Sequence, residues 1–130
     1  MGLFGFKKTQ DKSKDTYQLL KVKLGEIQIH STEIIKEIET STFENKLIEY
    51  NNEMLQFLEN LQIFENFFIH NKQVNKINVV SKFLDSRHRS QFVIKKDKNT
   101  KKNLEQRTKE LIQLKQEIEL ANKMDLELNK

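Results

Sequence analysis

The sequence predicts an all-α protein: an antiparallel helical hairpin that further helices extend to a three- or four-helix bundle or coiled coil. The 130 residues include no proline and only three glycines, which disfavours a turn-rich β fold. Apolar residues recur in steps of three and four along most of the chain, a spacing that places side chains on one face of a helix. Charged residues make up 32% and hydrophobic residues 36%, proportions that suit a thin helical protein.

Residues 1–14 are predicted to form a flexible apolar and basic segment before a helical domain at 15–130. Leu3, Phe4 and Phe6 stand immediately before two lysines, a pattern that can sit at the headgroup level of a membrane surface. The alternative is a frayed terminus whose phenylalanines dock on the protein's own helices.

Over its first eight residues the chain resembles the short amphipathic starts of two groups of membrane-remodelling helical proteins, the ESCRT-III and phage-shock groups. No diagnostic motif of either group accompanies these residues, and the sequence assigns no family. The resemblance implies membrane contact through Leu3, Phe4 and Phe6.

The first helix is predicted over about 15–39, where Asp15 and Gln18 have the spacing of an N-terminal cap. Its apolar seam advances in steps of three and four. The seam consists of Tyr17, Leu20, Leu24, Ile27, Ser31, Ile34 and Ile38. Ser31 is a polar break in this seam, which indicates either a register marker or a weakly packed layer.

The second helix is predicted over about 42–70, after a turn at 39–42 in which Ser41 and Glu44 have capping-box spacing. So short a turn between two long helices predicts an antiparallel hairpin. The aromatic residues of this helix exceed what one facing helix would cover, so they predict either a core or a partner-facing groove. The residues predicted for this core or groove are Tyr50, Phe57, Phe64, Phe67 and Phe68.

Two further helices are predicted, over about 74–85 and about 100–128, with a basic connector at 86–99 between them. The apolar triplet at 92–94 fits a loop, a helix extension or a short strand without a partner. The last helix has a thinner seam, with Arg107 and Asp125 at positions where apolar residues are expected. This pattern predicts a surface helix or a coiled coil with a partner.

The charge alternates along the chain. Residues 25–70 hold nine Glu and two Lys, whereas residues 71–103 hold ten Lys or Arg and two Asp. The cations that could contact an anionic partner are Arg87, Arg89, Lys95, Lys96, Lys98, Lys101 and Lys102. They are expected either to offset the acidic helices or to bind a nucleic acid or an anionic membrane surface.

The sequence contains no cysteine, which excludes disulfides, thiolate catalysis and zinc–cysteine sites. His30, His70 and His88 lie far apart, whereas helical metal sites pair ligands within one turn. Neither a glycine-rich phosphate loop nor a nucleophile-elbow motif is present. We therefore predict no catalytic residues, no metal site, no cofactor and no small-molecule substrate. A cytoplasmic location is expected, with peripheral membrane contact as the alternative.

Three functional hypotheses follow from the sequence. The first is a non-enzymatic helical interaction or assembly protein that binds a protein partner or itself. The second is a peripheral membrane protein that uses the N-terminal segment. The third is a nucleic-acid accessory protein that uses the basic residues at 87–102.

Overall fold

The computed structural model describes the backbone of residues 2–85 and 92–128, and the side chains of residues 15–85 and 92–128. Every regular element within these ranges is a helix, so the all-α prediction is confirmed. The elements are α1 (Gly2–Ile35), α2 (Phe43–His70), α3 (Val74–Asp85) and α4 (Thr100–Leu128).

The four helices pack side by side around one apolar core. Helix α1 packs against α2 and α4, and α3 packs against the same two helices from the opposite side. Cross-helix pairs show that successive helices run antiparallel, because partners with lower numbers in one helix face higher numbers in the next. Such pairs are Glu37 with Lys46, His30 with Glu53, Ser81 with Glu65, and Lys76 with Asn122.

Helix α3 has 12 residues, whereas α2 has 28 and α4 has 29. Helix α3 therefore covers only one half of the domain, which we call the α3 half. This half also contains the C-terminal parts of α2 and α4 and the part of α1 that packs against them. The segment 92–99 covers the other half, which we call the connector half.

Helix α1 begins at Gly2 and ends at Ile35, rather than spanning the predicted 15–39. No proline interrupts residues 2–15, so the backbone continues as helix through the predicted cap at Asp15. After Ile35 the chain tightens, since Lys36 N–H donates to Glu33 O (3.1 Å) and Glu37 N–H donates to Ile34 O (3.0 Å). These three-residue spacings are typical of the last turn of a helix.

The start of α2 differs from the predicted capping box. Thr42 is the N-cap residue, and its side chain makes no capping hydrogen bond. The Thr40 hydroxyl instead donates to Glu37 O (2.7 Å), and Phe43 N–H donates to Thr40 O (3.3 Å). The helix boundary was predicted within one residue, but the local bonds that fix it belong to the preceding turn.

The connection between α2 and α3 is a Schellman turn. Gln73 N–H donates to Phe68 O (2.9 Å) and Lys72 N–H donates to Ile69 O (3.2 Å), the two bonds that define this motif. Lys72 occupies the left-handed position with φ of 55°, where glycine is the usual residue. The predicted bounds of α3 match the structure at Val74–Asp85.

Helix α4 matches its predicted bounds, but it is not a surface helix. Arg107 and Asp125 are 4% and 1% exposed and lie on the same face as Leu104, Leu111 and Ile118, which are completely buried. The apparent gaps in its seam are therefore buried polar positions.

The connector places two apolar side chains in the core. Phe92 and Ile94 are 1% and 4% exposed, and the backbone between them is neither helix nor strand. The side-chain amide of Asn51 on α2 donates to Ile94 O and accepts from Ile94 N–H, both at 2.9 Å. Asn51 thus supplies the paired hydrogen bonds that a neighbouring strand would give. Residues 86–91 lie outside the described part of the chain.

Candidate interaction surfaces

The α3 half contains a buried ion pair that joins α3 to α4. Lys76 and Asp125 are each 1% exposed, and Lys76 Nζ lies 3.1 Å from Asp125 Oδ2. Lys76 Nζ also donates to Gln73 Oε1 (2.9 Å) and Asn122 Oδ1 (2.8 Å), so its three protons have three acceptors. Its ammonium lies 5.6 Å from the centre of the Tyr17 ring, close enough for a cation–π contact.

Asp125 additionally caps the N-terminus of α3 from a different helix. Its Oδ1 accepts from the backbone N–H of Asn75 (2.8 Å), and its Oδ2 accepts from that of Lys76 (3.1 Å). The first N–H groups of a helix have no partner within the helix, and a carboxylate there is favoured by the helix dipole. Asp125 is therefore a tertiary N-cap.

Burial perturbs the titration of this cluster. Desolvation lowers the pKa of Lys76, and the bond to Asp125 and its charge oppose part of that effect. Burial also raises the pKa of Tyr17, with a smaller contribution from the nearby Glu119 carboxylate. These groups lie against each other between helices rather than facing an open cavity.

A second buried polar cluster joins α1, α2 and α4 to the connector. Ser31, which is completely buried, is hydrogen-bonded to the Tyr50 hydroxyl. Arg107 donates from Nη1 to Phe92 O (3.0 Å), and its guanidinium lies 5.0 Å from the Phe92 ring centre. Burial raises the pKa of Tyr50, whereas its hydrogen bonds to Ser31 and Arg107 act in the opposite direction. The polar break at Ser31 is therefore a layer of the core in which Ser31 is hydrogen-bonded to Tyr50.

The aromatic residues predicted as core or partner groove lie in the core. Tyr50, Phe57, Phe64 and Phe68 are between 0% and 5% exposed, and Phe67 packs partly buried against the same cluster. Helix α3 and the connector cover them in addition to α1, which accounts for their number. Contact between these side chains and a partner stays a prediction.

An open groove of about 310 Å³ runs between α1 and α2. Its charged groups include pairs that bridge the two helices: His30 Nδ1 lies 2.7 Å from Glu53 Oε1, and Lys46 Nζ lies 3.1 Å from Glu37 Oε2. The hydrogen bond and charge of Lys46 lower the pKa of Glu37. Within the described residues, no group of three or more His, Cys, Asp or Glu side chains could hold a metal ion.

Exposed apolar side chains concentrate in the α3 half. Among the side chains that the structure describes, nine large hydrophobic residues in this half are at least 45% exposed: Leu19, Val22, Ile63, Ile69, Val74, Leu120, Met124, Leu126 and Leu128. The connector half has four in the exposed class, namely Ile29, Ile48, Val93 and Ile112. Leu120, Met124 and Leu128 are 60%, 45% and 70% exposed. Their spacing of four residues forms one line along α4, which we call the α4 stripe.

Of the basic residues predicted to contact an anionic partner, the five that the structure describes lie in the connector half. Lys95, Lys96, Lys98, Lys101 and Lys102 are all exposed, whereas Arg87 and Arg89 lie outside the described residues. Lys96 Nζ is 3.9 Å from Glu44 Oε2. For the other four lysines, no carboxylate within the described ranges lies at ion-pair distance.

Lys101 and Lys102 lie in the first turn of α4, and this helix does not begin before its predicted start. Thr100 is the first helical residue, and Asp97 Oδ1 accepts from Asn99 N–H (2.7 Å) just before it. The Thr100 hydroxyl accepts from Asp97 N–H (2.7 Å). A carboxylate at this position offsets part of the unfavourable interaction between lysines and the helix dipole.

The predicted membrane contacts Leu3, Phe4 and Phe6 lie on the helical backbone of α1, and their side chains are outside the described ranges. Because α1 enters the domain from the α3 half, this segment and the connector lysines lie at opposite ends. The described portion contains no helix with the length and apolar character needed to span a bilayer.

The structural importance of Lys76, Asn122 and Asn51 was not predicted from the sequence. A signal for Lys76 is available, since Val79, Val80 and Phe83 follow it at three, four and seven residues, which places this lysine on an apolar face. Asn51 has no comparable signal, because its partner is a backbone group 43 residues away.

No protein-family model, curated protein or solved structure matches this chain. The described residues define the class of the protein as all-helical, with helix–helix packing.

Proposed function

We propose that this protein is a four-helix bundle that acts as a non-enzymatic interaction or assembly protein, with the α3 half as its association surface. The observation that carries this proposal is the concentration of exposed apolar side chains in that half. We expect it to act in the cytoplasm.

Single exposed hydrophobic residues are common on monomeric proteins, whereas a contiguous apolar patch favours an interaction site. The α4 stripe is a line of three such residues. Val74 lies beside the same part of α4, because the backbone N–H of its neighbour Asn75 is bonded to Asp125. A helical partner that presents its own apolar seam suits a stripe with this spacing.

The roles of the buried titratable groups support a non-enzymatic function. Lys76 and Asp125 bind each other and the start of α3, and Tyr50 binds Ser31 and Arg107 between helices. In each case the shifted pKa belongs to a group that holds helices together. These contacts explain the perturbed titration without a substrate.

The proposal can be tested by photo-crosslinking in cells that produce the full chain. A photoreactive amino acid at Leu120 is expected to give discrete protein adducts, which Met124→Glu with Leu128→Glu should abolish. The matched control places the probe at Ile48, which is 56% exposed in the connector half and should give none. Equal adducts from both positions, or adducts to lipid alone, would contradict the proposal.

The exposed lysines of the connector half favour a second candidate, an accessory protein for nucleic acid. Four of them have no described carboxylate within ion-pair distance, so internal neutralisation accounts for few of these charges. Such a cluster can neutralise phosphates without reading sequence.

A further inference from the structure

Helix α1 continues past the ends of its neighbours at the α3 half. Lys21 lies 3.8 Å from Glu119 and His30 lies 2.7 Å from Glu53. This register places the end of α2 at His70 and the end of α4 at Leu128 opposite about residue 12 of α1. Residues 2–12, which we call the α1 extension, therefore continue roughly 15 Å beyond both ends at the helical rise of 1.5 Å per residue.

The α1 extension combines apolar and basic residues. It contains Leu3, Phe4 and Phe6, followed by three lysines and one aspartate. Among the described elements, no helix of the same copy reaches this level. An apolar and basic helix in this position favours contact with a neighbour, and none of the described elements of the same copy supplies one.

The α4 stripe offers the opposite charge beside exposed apolar side chains. Glu117 and Glu127 lie near it with Lys123, whereas Glu119 is paired with Lys21 of the same chain and Asp125 is buried in its bond to Lys76. The stripe also occupies the C-terminal half of α4, where the helix dipole adds negative potential. Charge and apolarity therefore both match the α1 extension.

We propose that two copies of this chain form a two-fold dimer in which the α1 extension of each copy packs on the α4 stripe of the other. A continuous helix that points away from its domain cannot turn back onto its own α4, but a second copy with inverted orientation can receive it. Two-fold symmetry makes both contacts equivalent. Each copy thereby covers the stripe of its partner.

This inference rests on the proposed function of the α3 half and names the occupant of that surface. Its first test is sedimentation equilibrium of the full chain from low to high micromolar concentration. We expect a dimer, and Leu120→Glu with Met124→Glu should weaken it by at least about tenfold, or about 1.4 kcal/mol. The matched control, Ile48→Glu with Ile112→Glu, changes exposed residues of the connector half and should leave the dimer unchanged. Thermal unfolding of each variant tests that the fold is retained.

A disulfide test defines the contact, because the chain has no cysteine of its own. Phe4→Cys and Leu120→Cys proteins, mixed and oxidised, should form a cross-linked heterodimer. Phe4→Cys mixed with Ile48→Cys should not.

The outcomes separate this inference from the proposed function. A monomer at all concentrations, or a dimer that persists in Leu120→Glu with Met124→Glu, overturns the two-fold dimer. If Leu120 still gives adducts to a different protein in cells, the α3 half remains an association surface with another partner. Binding of the monomer to anionic phospholipid vesicles, lost when residues 2–8 are removed, would overturn the dimer and assign the extension to a membrane.

Discussion

Asp125 binds two different parts of α3 through one carboxylate. It accepts hydrogen bonds from the backbone N–H of Asn75 and Lys76 and pairs with the Lys76 ammonium. Lys76 has two other acceptors, the side-chain oxygens of Gln73 and Asn122. The two members of this ion pair therefore have unequal importance for stability.

Asp125→Ala should destabilise the protein by about 3–5 kcal/mol, because it leaves a buried ammonium without its counter-ion and removes the cap of α3. Lys76→Met should also destabilise the protein, because it leaves the buried Asp125 carboxylate without its counter-ion, but the loss should be smaller than for Asp125→Ala, since Asp125 keeps its hydrogen bonds to the backbone of α3. Urea unfolding of both variants measures the difference. Equal losses would show that the capping bonds contribute nothing beyond the ion pair.

The same lysine predicts a pH dependence. Because burial lowers the pKa of Lys76 below its ordinary value of 10.5, the unfolded chain binds a proton at this position more tightly than the folded chain. The contribution of Lys76 to stability should therefore rise with pH between its folded pKa and 10.5, by at most about 1.4 kcal/mol per pH unit. Unfolding of wild type and Lys76→Met between pH 7 and pH 9.5, below full tyrosine ionisation, tests this. A constant difference between the two proteins would contradict it.

At the scale of the elements, periodicity predicted three of the four helices well because each has an apolar face and a clear end. The bounds of α3 and α4 agree with the structure, and α2 differs by one residue. The predicted start of α1 was wrong, because Asp15 has the sequence signature of a cap although the helix continues through it. Arg107 and Asp125 interrupt the apolar seam in the sequence, but their buried partners lie on other elements. Periodicity cannot locate such partners.

The proposed association surface was predictable only in part. Leu120 and Met124 appear in the sequence as apolar residues outside the predicted seam, whereas Leu128 was predicted to continue that seam after Leu114 and Ala121 and is exposed. The basic connector appears as a charge cluster. The separation of the stripe from the connector follows from the predicted length of α4, which has the basic residues near its start and the stripe near its end, whereas the exposure of the stripe and the burial of Phe92 and Ile94 do not follow from the sequence. These are consequences of the tertiary arrangement.

Asn51 should determine how firmly the connector is held. Asn51→Ala removes both hydrogen bonds to Ile94 and leaves two partly buried backbone groups without them, so we expect a loss of about 1–3 kcal/mol. The Ile94 amide should also exchange with solvent faster. Asn52→Ala, at the exposed neighbouring position, is the control and should stay within about 0.5 kcal/mol of wild type. Unchanged exchange at Ile94 would show that its burial alone holds this segment.

At the scale of the whole molecule, the apolar and basic surfaces lie at opposite ends. Helix α4 has 29 residues and so spans roughly 43 Å, with the connector lysines near its start and the α4 stripe near its end. A dimer joined through the α3 halves would leave both connector halves outermost. One protein could then associate through one end and present cations at the other.

This separation makes the anion-binding candidate testable without disturbing association. We expect Lys98→Gln, Lys101→Gln and Lys102→Gln together to weaken binding to single-stranded DNA in fluorescence anisotropy. Wild-type affinity should fall steeply with salt, and its log–log slope should lessen by about 0.7 for each phosphate contact that the variant loses. The control, Lys72→Gln with Lys82→Gln and Lys109→Gln, removes the same charge from exposed positions elsewhere. If both triple variants reduce affinity and slope equally, binding reflects net charge alone. If wild-type binding is absent or independent of salt, the connector lysines do not contact nucleic acid, and the interaction function of the α3 half stands without them.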